Sequence, residues 1–367
     1  MDRILNTDGQ NKIGKGRIFV GAPINGFADK VFVIDLDNLP NPYNPLNLPD
    51  YTIRLLFRDG VTPNFYRGTG VQVSSSPNVW DLTYNSSDWG QLLTQQIDLL
   101  EVLGANTNGV YKMYNLFSEC SNLRRVALFD TSTSTNFSQM FNYCHSLTNV
   151  PKYDISNATD ISYMFCGCTN LTTIPLFDTH NVTDISGLFY DCKNLNYVPL
   201  LDTSNVIQMH DMFNNCISLT TIPLFDTSNV ENMQWMFHNC KFTTVPLFNT
   251  ENVINMAEMF YDCSNLTTVP LFNTSNVENM ESMFCECTSL ITLPLLDTSK
   301  VTNVNDMFNH CDNAENNILA IYQQMANQTN PPVNHSSTFY SCGADTPQVQ
   351  EQLDQIPPDW RGINQIQ

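Results

Sequence analysis

A repeat of 24 residues constrains what this chain can fold into more than any other feature. Nine cysteines recur at this spacing, with a single 23-residue step between Cys240 and Cys263. A fixed period of about 20 to 50 residues is typical of proteins built as arrays of similar units. One unit buries too few apolar side chains to offset the entropy of ordering it, so each unit must pack on its neighbours. The column comprises Cys120, Cys144, Cys168, Cys192, Cys216, Cys240, Cys263, Cys287 and Cys311.

The apolar spacing within a unit predicts a short helix before each of these cysteines. Apolar residues separated by three, four and three positions form one face of a helix, as in Val230, Met233, Phe237 and Cys240. Ser228 precedes Glu231 by three residues, which is the capping-box arrangement of a helix start.

The residues after each cysteine predict a short strand. In the unit that follows Cys168, the apolar residues Leu171, Ile174 and Leu176 are predicted to face inward. A proline recurs just before the third of these positions in seven units, and it must end the pairing because it has no N–H to donate. These strands are predicted to be three to five residues long and parallel from unit to unit.

These patterns predict an α/β repeat solenoid, leucine-rich-repeat-like, with short parallel strands, short helices and a small β-rich N-terminal domain. Residues 1–85 lack the period and contain alternating segments such as "YTIRLLFRDG", which predicts an anchoring domain. Residues 86–101 are predicted to form a capping helix, 102–313 about nine repeat units, and 314–367 a C-terminal cap that begins with a second helix in "NAENNILAIYQQMANQ".

Residues 102 to about 313 resemble the BspA-like leucine-rich repeats, the bacterial surface protein repeat family found in gut bacteria and their phages. Strings such as "LFNTSNVENMESMFCECTSL" carry the resemblance. The lead-in "YTIRLLFRDG" and the closing "STFYSCGADTPQVQEQLDQIPPDW" resemble segments that flank such repeats. The resemblance implies a non-enzymatic surface module for adhesion or recognition, but it carries over no particular partner.

The charge and hydropathy of the chain exclude several classes of partner. A formal net charge of -20 repels nucleic acid and anionic lipid. No apolar run approaches the length of about 18 residues that a membrane helix needs, so no membrane insertion is predicted. Residues 1–16 lack the apolar stretch of a secretory signal, which favours folding in a cytoplasm or a mature form from which a signal was removed.

Three chemistries fit the cysteine column: a disulfide ladder, a soft-metal site, or buried thiols. Parallel side-chain directions and an odd number disfavour disulfides, and zinc sites need closely paired cysteines with partners. Buried reduced thiols are therefore the favoured interpretation. A column of Asp or Asn keeps the same period, and its "DTSN" context favours an Asx-turn or helix cap over a calcium site.

A column of aromatic residues is the candidate binding site. Strand alternation predicts that these side chains face outward and form an apolar surface for protein or glycan. The alternative is that the proline disturbs the strand and that the rings join the core. The candidate residues are Tyr153, Phe177, Phe225, Phe248 and Phe272.

The sequence predicts no catalytic residue, metal site or cofactor, because the six histidines fall at unrelated positions in the unit and no nucleophile or phosphate-loop motif occurs. The favoured function is a phage virion structural or recognition protein in a multi-chain assembly. Its N-terminal region is predicted to contact other virion proteins, and its repeats a host-surface protein or glycan. The alternative is an exported adhesin on a bacterial cell surface.

Overall fold

The computed structural model describes residues 17–20, 32–35, 43–74, 76 and 78–362. The prediction about a signal in residues 1–16 lies outside these residues, as does much of the predicted anchoring domain and the last part of the predicted C-terminal cap.

The N-terminal part of the described chain contains two β-sheets. The first is an antiparallel pair of β1 (Arg17–Val20) and β2 (Phe32–Asp35). The second has five strands in the order β4-β5-β3-β6-β7, and all its pairs are antiparallel except β6 with β7. It therefore joins residues from both sides of the predicted boundary at 85. Its strands are β3 (Thr52–Phe57), β4 (Thr69–Gln72), β5 (Val79–Thr83), β6 (Leu99–Asn106) and β7 (Arg125–Val126).

The central strand β3 has one face in the core and one in partial contact with solvent. Ile53, Leu55 and Phe57 alternate along the strand and are at most 1% exposed. On the other face, Arg54 donates two hydrogen bonds of 2.7 Å to the carboxylate of Asp81 on β5. Such a two-point pair between neighbouring strands favours the observed pairing of β3 with β5.

The repeat units have no helix where the sequence predicts one. Residues 102–313, all of which the structure describes, contain tight turns instead. Two residues per unit, four positions apart, adopt positive φ, as at Trp235 (56°) and Asn239 (53°). A right-handed helix cannot pass through left-handed residues at that spacing. We call the eight residues that end at each column cysteine the turn segment.

Hydrogen bonds between turn segments join each unit to the next. In the segment 233–240, alternate amides donate to carbonyls of the following unit at 2.7–3.0 Å, and intervening amides close turns within their own unit. Single parallel bridges continue this register from Asp88–Lys112 to Asn279–Asn303. The donors and acceptors are Met233 to Asn255, Trp235 to Ala257, Phe237 to Met259, and Asn239 to Tyr261.

The predicted α/β repeat solenoid is therefore wrong, although the repeats themselves exist. Consecutive four-residue turns bury residues at spacings of three and four, and the sequence pattern could not distinguish them from a helix. The helix predicted over 86–101 is also wrong, because these residues form turns and the start of β6. The two helices among the described residues lie after the units, at α1 (Ile318–Ala326) and α2 (Pro347–Leu353).

A column of stacked phenylalanines forms the centre of the core. Neighbouring ring centroids lie 5.5–6.1 Å apart, and the ring planes differ by at most 18°. Because each ring between the first and the last contacts one before and one after it, the units share a continuous core. The column comprises Phe117, Phe141, Phe165, Phe189, Phe213, Phe237, Phe260, Phe284, Phe308 and Phe339.

The C-terminal residues cover the last unit. The predicted second helix is confirmed as α1, which buries Ile318, Ile321 and Met325. Beyond α2, Trp360 stacks on His335 with a centroid distance of 4.2 Å and lies 6.4 Å from Phe339. No helix in the described part of the chain has both the length and the apolar character needed to cross a bilayer.

The column cysteines line the core beside the phenylalanines. All nine are buried and free, as are the three other cysteines. Each column Sγ donates to a backbone carbonyl 26 or 27 residues earlier, at 3.0–3.2 Å. Each of these carbonyls also accepts an amide three residues later in its own unit, for example Phe213 from Cys216 at 3.0 Å, so the thiol adds a second hydrogen bond to it.

These thiols are expected to be unreactive in the folded protein. Burial raises the pKa of the Cys120 and Cys240 thiols to about 12, and the thiolate is the reactive form. At pH 8, a chromogenic disulfide reagent should label the native protein at least about 100-fold more slowly than the protein in guanidinium. Labelling of a column cysteine at the rate of a free thiol, located by mass spectrometry, would contradict the buried arrangement.

Candidate binding surface

The aromatic residues predicted as a binding site lie in the core. Their exposed fractions are 1–4%. Each ring packs against a ring of the phenylalanine column at a centroid distance of 5.9–6.4 Å. The hypothesis of an exposed aromatic surface is therefore wrong for Tyr153, Phe177, Phe225, Phe248 and Phe272.

In three units a three-residue turn explains why the predicted alternation fails. The amides of Tyr153, Phe225 and Leu296 donate to the carbonyl of the proline two residues earlier, at 2.9–3.1 Å. This bond closes a γ-turn, which places the residue after the proline at its centre. In these units the central residue is exposed and the residue after it is buried, which is the reverse of the predicted strand alternation.

The outward residues at this position of six consecutive units are leucines, and we call their row the leucine ridge; the γ-turn bond is present in the units of Leu224 and Leu295. Their exposed fractions are 44–66%, and bridged units lie about 5 Å apart, so the row is continuous. Single exposed leucines are ordinary, but a contiguous apolar row on a protein surface marks a site of interaction. The ridge comprises Leu176, Leu200, Leu224, Leu247, Leu271 and Leu295.

Carboxylates accompany the ridge two residues later in the sequence. We call these exposed residues the acidic row: Asp178, Asp202, Asp226 and Asp297, with Asn249 and Asn273 between them. Their side-chain oxygens accept the N–H two residues later, for example from Ser204 at 3.1 Å and Ser228 at 3.0 Å. The Asx-turn interpretation of this column is confirmed, whereas the helix that it was also predicted to cap is not there.

Buried threonines hold the spacing between neighbouring members of the acidic row. The hydroxyl of Thr179 donates to the backbone carbonyl of Asp202, and that of Thr203 to the carbonyl of Asp226, both at 2.7 Å. Because the threonine directly follows an acidic residue, this bond ties each ridge position to the next.

Among the described residues, no group of three or more His, Cys, Asp or Glu could hold a metal ion.

The acidic row is charged at neutral pH and below. Side-chain hydrogen bonds from Ser204 and Ser228 lower the pKa of Asp202 and Asp226 respectively. A lowered pKa means that the contribution to stability is complete above the ordinary carboxyl pKa and is lost as the pH falls through the lowered value. The row therefore keeps its negative charge in mildly acidic solution.

We predict that Asp226→Asn leaves stability at pH 7 almost unchanged. The amide oxygen can accept the same turn bond, as Asn249 does from Glu251 at 3.1 Å. The free energy of unfolding in urea should change by less than about 0.5 kcal/mol, whereas Asp226→Ala should lose about 0.5–1.5 kcal/mol with the turn bond. Equal losses in the two variants would show that charge, not the turn, matters at this position.

One family model matches the repeats. Its description is "Mycoplasma protein of unknown function, DUF285", and it matches residues 94–197, 168–267 and 220–322. A search of curated proteins finds no match. The resemblance is confirmed only in its coarser form, as repeats of this family, to which BspA-like proteins are related. Since the matches together span residues 94–322, well over half of the chain, the protein belongs to the DUF285 repeat family.

Proposed function

We propose that this chain is a non-enzymatic binding module that recognises a partner protein through the leucine ridge and the acidic row. The observation that carries the proposal is that six consecutive units each expose a leucine at the same position. Burying one such side chain fully is worth about 1.5–3 kcal/mol, so a partner that covers several of them gains enough to bind specifically.

The charge of the repeats favours a basic partner. Residues 101–313 contain seven Lys and Arg against twenty-one Asp and Glu. Since the acidic row accompanies the ridge, a partner surface with apolar side chains flanked by Lys or Arg matches both features. Its approach would also be accelerated by the long-range attraction of opposite charges.

The finer proposal is that the module is BspA-like and lies on the outside of a phage virion, with residues 1–85 docking to the particle. The sequence resemblance supports it. Mass spectrometry of purified particles tests this location, and detection of the protein on intact uninfected cells would instead support the alternative of a bacterial surface adhesin.

The binding proposal can be tested without a known partner. A displayed library of random 16-residue peptides is selected on the wild-type protein. We expect enriched peptides to combine apolar residues with Lys or Arg. Their affinity should fall at least about 10-fold on the variant Leu200→Lys/Leu224→Lys/Leu247→Lys, because the apolar contacts are lost and the charges repel.

The lysine variant has a structural precedent and a matched control. Lys152 occupies the equivalent outward position in its own unit, so lysine should be tolerated on the ridge. Ile207→Lys makes the same chemical change at a residue that is 39% exposed but outside the ridge, and it should leave peptide binding unchanged. Peptides that lack basic residues, or that bind both variants alike, would refute the proposed surface.

A further inference from the structure

An open cavity lined by three tyrosines lies on the turn segments, and none of its lining residues belongs to the leucine ridge. Its volume is about 320 Å³. The tyrosines come from different units and meet because each turn segment is bonded in register to the next. The lining residues are Gln139, Asn142, Tyr143, Tyr163, Cys166 and Tyr190.

Two glycines leave the space that two of the tyrosine rings occupy. A Cβ added to Gly167 would lie 2.6 Å from the ring of Tyr143, and one added to Gly187 would lie 2.1 Å from the ring of Tyr163. Both distances are far below van der Waals contact. Each ring therefore lies directly over the glycine backbone of the following unit.

Backbone conformation alone does not explain these glycines. Both have positive φ, but the equivalent positions in the next two units have similar φ and carry side chains. These residues are Asp191 and Asn215 for Gly167, and Asp211 and Trp235 for Gly187. Since the fold accepts side chains in this conformation, it is the tyrosine rings that need the glycines at 167 and 187.

The surroundings of the cavity are negative. Burial raises the pKa of Tyr163 to about 12, and the nearby carboxylate of Asp211 adds to this rise. Asp211 is itself only 5% exposed. Cys166 and burial are the largest causes that raise the pKa of Tyr143, and the carboxylates of Asp191 and Glu119 raise it further. The phenols are therefore neutral, and a cation gains from both the ring faces and the field.

The lysine near the cavity is paired with only one of these three carboxylates. The Nζ of Lys193 lies 3.3 Å from Asp191, whereas Asp211 lies 3.1 Å from the Nδ1 of His210, a ring that is charged only when protonated. Burial raises the pKa of the Cys166 thiol to about 12, so it contributes a neutral, polarisable wall. A positively charged ligand is therefore favoured over an anionic one.

We propose that this cavity binds an organic cation, an alkylammonium or quaternary ammonium group, between the faces of Tyr143, Tyr163 and Tyr190. Such a group occurs on free small molecules and on the lysine side chain of a protein. The site is independent of the leucine ridge, so either proposal can fail without the other.

The test uses calorimetric titration of the full chain with choline. Two neutral compounds are titrated as controls. The isostere 3,3-dimethyl-1-butanol tests whether the positive charge is needed, and N-acetylglucosamine tests whether the cavity binds a sugar instead. We expect choline to bind with a Kd of about 1–10 mM and the two neutral compounds to bind at least about 10-fold more weakly. A capped lysine amide is titrated in parallel, and the tighter of the two cations indicates the source of the natural ligand.

Variants distinguish a loss of binding caused by a missing tyrosine ring from a loss caused by misfolding. Tyr163→Leu/Tyr190→Leu should weaken choline binding at least about 10-fold, whereas Tyr163→Phe, which keeps the ring, should change it less than about threefold. Gly187→Ala should also weaken binding, because it displaces the ring of Tyr163. Circular dichroism establishes that each variant is folded. Equal binding of choline and its neutral isostere, tighter binding of the sugar, or full binding by the double leucine variant would overturn the proposal.

Discussion

Replacing Phe213 with alanine is expected to lower the free energy of unfolding by about 3–5 kcal/mol. The side chain is fully buried, and its ring stacks between Phe189 at 5.7 Å and Phe237 at 5.8 Å. It also contacts Phe225 at 6.0 Å. The rings of the two adjoining units cannot both move into the space, because their backbones are held by hydrogen bonds to their own neighbours. Urea denaturation followed by circular dichroism measures the loss.

The adjacent pair Leu224 and Phe225 provides the control for this prediction. Leu224 is 61% exposed and Phe225 is 2% exposed, although they are neighbours in the sequence. Leu224→Ala should cost less than about 0.5 kcal/mol, and Phe225→Ala about 3–5 kcal/mol. A larger loss for Leu224→Ala would mean that the γ-turn does not set which side chain is buried.

Deleting half of one unit should have the second large effect, the loss of cooperative folding. Removal of residues 193–204 would shift the residues that follow by half a unit. Side chains that face solvent would then enter the core, and the turn segment that ends at Cys216 would no longer align with the turn segment before it. We expect a loss comparable to the whole free energy of unfolding of a domain, about 5–15 kcal/mol. Scanning calorimetry and size-exclusion chromatography would show a broad transition and an expanded or aggregated chain.

Deletion of a complete unit is the matched control for the half-unit deletion. Removing residues 193–216 joins Cys192 to Ile217, which occupies the same position in its unit as Lys193. Every later residue then meets an equivalent neighbour, so the shortened chain should fold and unfold cooperatively. If the two deletions behave alike, the contacts between units do not depend on the 24-residue register.

The acidic row shows how far local sequence could be interpreted. Asp226 is followed by Thr227 and Ser228, and the Asx-turn predicted from this context is present because the bond is formed within three residues. The helix predicted from the spacing of Val230 and Met233 is absent. Its formation would have needed the amides of the turn segment, but alternate amides donate to the following unit and the intervening ones close tight turns within their own unit.

The residues of the binding surface could not be predicted from the sequence of a single unit. Leu176 and Phe177 are adjacent apolar residues, and strand alternation assigned their directions the wrong way round. A signal was nevertheless present: the prolines were interpreted only as the ends of strands, although Pro151, Pro223 and Pro294 are the first residues of γ-turns. Tyr143, Tyr163 and Tyr190 share no column of the repeat, so periodicity could not single them out.

The sequence by itself determined the period, the members of each column, the negative charge and the Asx-turns. These depend on composition or on contacts within a few residues. Only the tertiary structure decided that the units consist of turns, that the leucines rather than the aromatic residues face outward, and that three tyrosines share a cavity. The physical reason is that hydrogen bonds and ring stacking between units, 24 residues apart in the chain, select the backbone conformation of each unit.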